Sequence, residues 1–240
     1  MTSPPGTSME TKLQMASYAV EALSDTVIRN YIIQVEVADR VIRVWYYDRC
    51  GIMNSTAIDI FSVDFAIVIF CFMRFRDEDW GFFPNPIRPG AIFDLDNGIT
   101  VKLVDFIEPH RYYGLVGRCT NVLTATSDEF PDTALIVKAS FQPRTRLPRE
   151  AEVIDQLKAR LPDKHDNLPT VYGSKVIPVT SSFRTGLPAL ARYLQELRDL
   201  VIMLCQPLNA ITSLETVEMF KKAFCDIVRC VYIIECSCLN

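Results

Sequence analysis

The 240-residue sequence predicts an α+β fold, a mixed N-terminal module followed by a sheet-rich unit that leads into helices. Three observations carry this. Leu13, Ala16, Val20 and Leu23 recur at helical spacing near the start, which marks an amphipathic helix. Runs rich in β-branched and aromatic residues then alternate with turn residues, the pattern of strands. Asn97-Gly98 stands between two such runs, a strong local signal for a hairpin.

The elements follow in chain order. Residues 1 to 8 are a Ser/Pro/Gly leader. After the first helix, Ile28 to Val37 and Val41 to Tyr47 form a strand pair divided by Asp39-Arg40. Asp48-Arg49-Cys50-Gly51 is the turn ending the second strand. Phe61 to Met73 reads as a mostly buried helix, and Trp80 to Pro89 as a Pro/Gly/aromatic connector. Ala91 to Leu95 and Ile99 to Val104 flank Asp96-Asn97-Gly98, for which a type I′ turn is expected. Strand pattern continues over Leu115 to Ala125 and Thr133 to Ala139. Pro148 to Leu161 is helical, with Pro148 in the first turn and Val153, Ile154 and Leu157 on one face. The apolar run Leu197 to Leu204 suits a strand or a helix and stops at Cys205-Gln206-Pro207. Thr212 with Glu215 makes a capping box, and Val217, Phe220, Phe224, Ile227 and Val231 form the stripe of a last helix.

Composition narrows the function. The chain carries 25 Lys and Arg against 29 Asp and Glu, a net charge of −4, so a general electrostatic grip on nucleic acid is not expected. The most apolar stretch, Phe65 to Met73, is closed off by Arg74. It is far shorter than the ~20 residues that cross a bilayer, so no membrane partner is expected. The N-terminus lacks a basic segment followed by an apolar one, hence no secretory signal. Eight cysteines without framework spacing then read as reduced thiols in an intracellular protein. Nucleus and cytoplasm are not distinguished, since no basic cluster resembles an import signal. Cys225, Cys230, Cys236 and Cys238 crowd the end but lack the paired short knuckles of zinc modules. No metal site is expected there.

Inventory removes several enzyme classes. The only histidines are His110 and His165, and there is no Walker A loop, G-x-G-x-x-G or G-x-S-x-G. What remains is the order of residues from Leu115 to Glu150. A glycine turn at Gly117 precedes Val122, and Lys138 comes late on the apolar strand Ala134-Leu135-Ile136-Val137. Protein kinases use this order, with the lysine reaching phosphate oxygens while its stem packs on the strand. Twelve residues on, Glu150 opens a helix where a carboxylate can hold that lysine in line. His165-Asp166-Asn167-Leu168-Pro169 then leads into Val171-Tyr172-Gly173, as in the turn kinases often place before their fourth strand. Each piece alone has a plainer reading: a solvated lysine, a helix-dipole glutamate, a turn glycine, a surface histidine.

The chain resembles the fungal-type protein kinases along nearly its whole length. The likeness lies in Ala16-Ser17-Tyr18-Ala19 with Glu21-Ala22-Leu23, in Trp45-Tyr46-Tyr47-Asp48-Arg49-Cys50-Gly51-Ile52 and in Trp80-Gly81-Phe82. It continues through Leu115 to Val122, Ile136-Val137-Lys138-Ala139-Ser140-Phe141 and Pro148 to Ile154. The last match runs from Pro207-Leu208 and Thr212-Ser213-Leu214 to Phe224 through Cys230.

This resemblance implies a family-specific module over residues 1–112 and, over residues 113–240, a protein-kinase-like N-lobe with the first helices of an incomplete C-lobe. It implies ATP as the cofactor, Lys138 as the ATP-phosphate lysine and Glu150 as its partner, with Glu152 the other candidate. Gly117 becomes the phosphate-loop glycine, Val122 the adenine-packing residue, and Met203 to Gln206 fall near the adenine hinge. Cys119 stands where a second loop glycine would help the backbone approach phosphate.

The resemblance also shows what is missing. No His follows His165 and no Gly follows Gly186, so neither His-Arg-Asp nor Asp-Phe-Gly occurs after Lys138. Asp64-Phe65 and Asp105-Phe106 precede Lys138 and lack the glycine. The residues that hold Mg²⁺ and orient the acceptor are therefore absent from this chain. The expectation is an inactive kinase-like protein truncated before its catalytic loop. The other readings are an interaction or decoy module that offers the Glu215 to Val231 helix to a protein partner or a second copy, and a truncated gene product without selected function.

Overall fold

The computed structural model describes residues 8–25, 27–85, 87–107, 114–115, 117–160, 168–179 and 197–207, with 216, 218 and 221 as isolated positions. It is an α+β structure built on two antiparallel sheets. The capping box at Thr212, the expected Glu215 to Val231 stripe and the four C-terminal cysteines lie outside these residues, apart from the isolated positions.

Helix α1 (Met9–Leu23) begins at Ser8, whose hydroxyl accepts the Thr11 amide at 3.1 Å. It buries Ala19 and Leu23. Strands β1 (Tyr31–Ala38), β2 (Val41–Asp48), β3 (Gly51–Asn54) and β4 (Ile58–Asp59) form the first sheet, with β2 pairing all three others. Alternation sorts its side chains. Ile32, Trp45 and Tyr47 pack under α1, while Tyr31, Ile33 and Tyr46 meet Phe72, Phe75 and Trp80 on the opposite face. The Asp48 to Gly51 turn does more than end β2. Asp48 Oδ1 accepts the Cys50 and Gly51 amides at 2.8 and 2.9 Å and so starts the second hairpin, β2–β3.

Helix α2 (Val63–Phe72), expected to be mostly buried, contains no buried residue. Phe65, Val68 and Phe72 are half-buried, and the rest of the helix is outside the core. An apolar sequence marks a helix but does not say how many neighbours it will find.

The second sheet joins β5 (Ile92–Asp94), β6 (Thr100–Phe106), β7 (Asn121–Thr126), β8 (Leu135–Pro143), β9 (Val171–Ile177) and β10 (Arg198–Cys205) in the order β5-β6-β7-β8-β10-β9. The run expected at Leu197 to Leu204 is thus a central strand over Arg198–Cys205, buried along its length because it has neighbours on both sides, while Leu197 lies outside it and is exposed. Leu115 lies outside any strand, and β7 pairs antiparallel with β6 on one side and β8 on the other.

The Asn-Gly hairpin forms with a different turn. Gly98 has φ 85, but Asn97 has no positive φ. Gly98 N donates to Leu95 O at 3.0 Å and Leu95 N to Ile99 O at 2.9 Å, a type I turn closed by a left-handed glycine. This tip meets the far edge of its own sheet. Asp96 N donates to Ser174 O at 3.1 Å and Asn97 Nδ2 to Tyr172 O at 2.8 Å, so the sheet curls until β9 meets the β5–β6 turn. Inside lies the main core, with Val101, Leu103, Leu123, Val137, Phe141, Leu200 and Leu204 among its side chains. Helix α3 (Glu150–Arg160) covers the other face and buries Ala151, Ile154 and Leu157, with Val153 only half-buried.

Two predictions test this packing. Gly81 has φ +88, and a Cβ there would lie 2.0 Å from Tyr31 O, whereas Gly98 has open space. Gly98→Ala should cost only the left-handed penalty of about 1–2 kcal/mol, and Gly81→Ala a further ~1–3 kcal/mol from overpacking. Urea unfolding measures both, and equal costs would refute the close approach. Tyr47 is fully buried, and its hydroxyl has no hydrogen-bond partner in the structure described. Burial, then Glu36, pushes its ionisation up to about 12. That favours the folded state below the ordinary phenol value near 10, and the contribution is lost as pH climbs toward 12. Tyr47→Phe should be neutral or stabilising by up to about 1 kcal/mol at neutral pH. It should also lose less stability than the parent between pH 10 and 12; clear destabilisation at neutral pH contradicts this reading.

Candidate functional site

The face of the second sheet under α3 holds the site. Lys138 sits on β8 between Val122 of β7 and Met203 of β10, its direct cross-strand partners. Strand alternation sends Val137 and Ala139 into the main core and leaves Ile136 and Lys138 on the helix side. Ala151 and Ile154 of α3 pack there with Met203, Cys205, Ile136 and Val171. The lysine stem thus runs through apolar surroundings toward the first turn of α3.

There Lys138 Nζ donates to Glu150 Oε1. Arg118 Nη2 lies 3.3 Å from Glu150 Oε2, so one carboxylate is shared by two cations. The side chains of Lys138, Glu150 and Arg118 are 28%, 26% and 41% exposed. Both charged partners of Glu150 are therefore partly open to solvent. Glu152 takes another role. Its Oε2 accepts the Arg149 amide at 3.1 Å and closes the start of the helix. Between the two glutamates the sequence had offered for Lys138, the structure pairs Glu150.

The loop before β7 is stitched to the same strand. Phe141 N donates to Arg118 O at 2.7 Å, three residues beyond Lys138. Gly117 has φ 144 and Cys119 has φ 38, both in the region that favours glycine. Cys119 accepts this conformation with its thiol buried in the main core. Burial pushes that thiol up, opposed by the Arg49 charge and a hydrogen bond from Asn121. Below the ion pair, burial also pushes the Cys205 thiol up, with Lys138 opposing and Glu150 reinforcing the shift.

Arg118 and Asp199 are the residues sequence reading missed. Arg118 directly follows the loop glycine, and its basic character beside Gly117 was the available signal. Asp199 is, with Arg198, a charged residue within the apolar run Leu197 to Leu204. It is 5% exposed and accepts Arg144 Nε at 2.6 Å and Arg149 Nη2 at 3.0 Å. This clamp ties the residue before Glu150 to the central strand β10. Of the expected hinge segment, Met203, Leu204 and Cys205 are buried in β10, while Gln206 is exposed and its N–H donates to Thr170 O at 2.9 Å. His165, Asp166 and Asn167 lie outside the described residues. Among the described residues, no three His, Cys, Asp or Glu side chains cluster as a metal site would require. Also among them, no helix is long and apolar enough to cross a membrane.

A strand-borne ammonium held by a helix carboxylate, with a second cation on a glycine loop beside it, is suited to receive a polyanion. The family model described as fungal protein kinase matches residues 2–202. The chain belongs to that family. No curated protein and no solved structure matches the chain.

The shared carboxylate makes a quantitative prediction. A double-mutant cycle of Lys138→Met and Glu150→Gln should give a coupling of about 1 kcal/mol. The more exposed Arg118–Glu150 contact should give about 0.5 kcal/mol or less. Urea unfolding of the singles and doubles supplies the numbers, and zero coupling between Lys138 and Glu150 would remove the pair.

Proposed function

We propose that this member of the fungal protein kinase family carries a kinase-like nucleotide half-site, in which Lys138 and Arg118 receive the phosphates of ATP and Glu150 holds Lys138 in line. The observation that carries this is the Lys138–Glu150 ion pair between a sheet strand and the helix that follows it. In protein kinases the equivalent strand lysine and helix glutamate must be paired for the phosphates to be held.

The surroundings support the same reading. β8 is third in the antiparallel succession β6-β7-β8, and α3 follows it directly. Val122 flanks Lys138 across the ladder and would pack against the adenine. Gly117 is in a glycine-favoured conformation one residue before Arg118, so the loop backbone can approach phosphate. Cys119 replaces a glycine, but its side chain turns into the core and leaves the outer side of the loop open.

ATP would supply the polyphosphate and adenine; the chain supplies the cations, the carboxylate that orients one of them and the apolar walls. The residues fit nucleotide better than they fit Mg²⁺. No Asp-Phe-Gly or His-Arg-Asp occurs in these 240 residues. Asp64 lies on α2 and Asp105 on β6, both exposed. We therefore propose binding without phosphoryl transfer for this chain on its own.

Thermal-shift titration with ATP tests the reading. ATP at a hundredfold excess over its Kd should stabilise the protein by about 2.7 kcal/mol. Lys138→Ala should abolish the shift, and Arg118→Ala should weaken binding about tenfold. No response to ATP, or a shift that survives Lys138→Ala, overturns the half-site. Transfer of the γ-phosphate that Lys138→Met abolishes would overturn the proposed inactivity.

A further inference from the structure

Two neighbouring residues at the start of α3 are tied to the sheet in opposite directions. Glu150 reaches Lys138 on β8. Arg149, one position earlier, reaches Asp199 on β10, with Nη2 3.0 Å from Oδ2. The ladder shows how far apart these anchors stand. Lys138 is paired with Met203, and Asp199 with Gln142, four residues further along β8. Alternation puts all four side chains on one face of the sheet, the face on which Ala151 and Ile154 of α3 pack against Met203. At the rise of an extended strand the two anchors lie about 13 Å apart along the strands. The Cα atoms of Arg149 and Glu150 are only about 3.8 Å apart. Two side chains that diverge from one point to two separated anchors set both the place and the rotation of the helix's first turn. Attachment at one anchor leaves that turn free to pivot.

The second anchor is built to hold. β10 has a neighbouring strand on each side, and the Asp199 side chain is buried in it. A carboxylate taken out of water needs cations beside it, and leaving it unpaired is costly. Arg144 Nε supplies one at 2.6 Å. Arg144 also donates through Nη2 to Val179 O at 3.2 Å, just beyond β9, so it ties strand to strand. Arg149 ties the sheet to the helix. Its Nη1 is buried with no hydrogen-bond partner in the structure described, so the contact with Asp199 is what holds this guanidinium in place. Without that contact, the polar ties between the first turn of α3 and the sheet all run through Glu150 among the described residues.

We propose that Asp199 is a positioning residue for the candidate site: by holding Arg149 it orients α3 so that the Glu150 carboxylate meets the Lys138 ammonium. Asp199 acts through Arg149 and the helix start, from four residues along the strand. Its effect on nucleotide rests on the half-site reading, whereas its effect on the ion pair does not.

Urea unfolding of the Lys138→Met and Glu150→Gln cycle, repeated in the Asp199→Asn background, tests this without nucleotide. In the parent the pair should be coupled about fivefold in the unfolding equilibrium constant. With Asp199→Asn the coupling should fall below about twofold. A role confined to stability lowers all four corners of the cycle alike and leaves the coupling intact. Arg149→Gln should cause the same loss, and Arg144→Gln, which spares the Arg149–Asp199 contact, should not. Calorimetric titration with ATP gives a second readout. Asp199→Asn should weaken binding about fivefold, and by about twofold or less when Glu150→Gln is already present. Coupling that survives both Asp199→Asn and Arg149→Gln overturns the positioning role, as does a parent without coupling. Equal loss in Arg144→Gln overturns it too, and so does an ATP effect that keeps its full size beside Glu150→Gln. A parent that does not bind ATP overturns the half-site reading, and the coupling in urea then decides the role of Asp199 by itself.

Discussion

The buried guanidinium of Arg49 holds the two sheets in one structure. Only 2% exposed, it donates to Leu23 O at the end of α1 and, at 2.8 Å, to Gly114 O in the segment leading to the glycine loop. Its charge also lies 5.7 Å from the centroid of the Phe141 ring on β8. Taking a guanidinium out of water is costly unless its donors find acceptors. The carbonyls at a helix C-terminus are unpaired within the helix and favour a cation. Each therefore supplies what the other lacks. Three segments far apart in sequence meet at one side chain, and Asp48 fixes the turn that delivers it.

The candidate site inherits its geometry from that junction. Arg49 anchors Gly114, the Arg118 carbonyl is stitched to Phe141, and the Arg118 side chain reaches Glu150. On the far side, Asp199 draws in Arg144 and Arg149 and so sets where α3 begins. Between these two anchors the ladder places Lys138 beside Val122 and Met203. A shift of one residue in β8 would turn Lys138 into the main core and expose Val137 and Ala139. The requirement that apolar alternates stay inside thus also aims the lysine at Glu150.

Much of this was legible in the residues themselves. Leu13, Ala16, Val20 and Leu23 marked α1, and the apolar run ending in Lys138 marked β8. The twelve-residue step from Lys138 to Glu150 described a strand followed by a helix. Other features were legible only in outline. Asn97-Gly98 announced a hairpin, but its turn is type I because the tip must also meet Tyr172 and Ser174 across the curled sheet. The apolar run of α2 looked like core, since local pattern measures hydrophobicity and not the number of neighbours. Leu197 to Leu204 allowed two readings because continuous burial erases the period that separates strand from helix.

The sequence by itself determined the family, the main helices and strands around the Asn97-Gly98 hairpin, and the spacing that sets a strand lysine, Lys138, before a helix that opens with glutamates. Periodicity, turn chemistry and motif spacing are local properties, written within a few residues of one another. Tertiary structure decided what depends on distant segments. It chose Glu150 over Glu152, brought Arg118 to the same carboxylate and used Asp199 as an anchor. It also paired β7 with β6 and left one face of α2 open. Each of these is a contact between parts of the chain that only the packing of the curled sheet brings together, so no local pattern could have announced it.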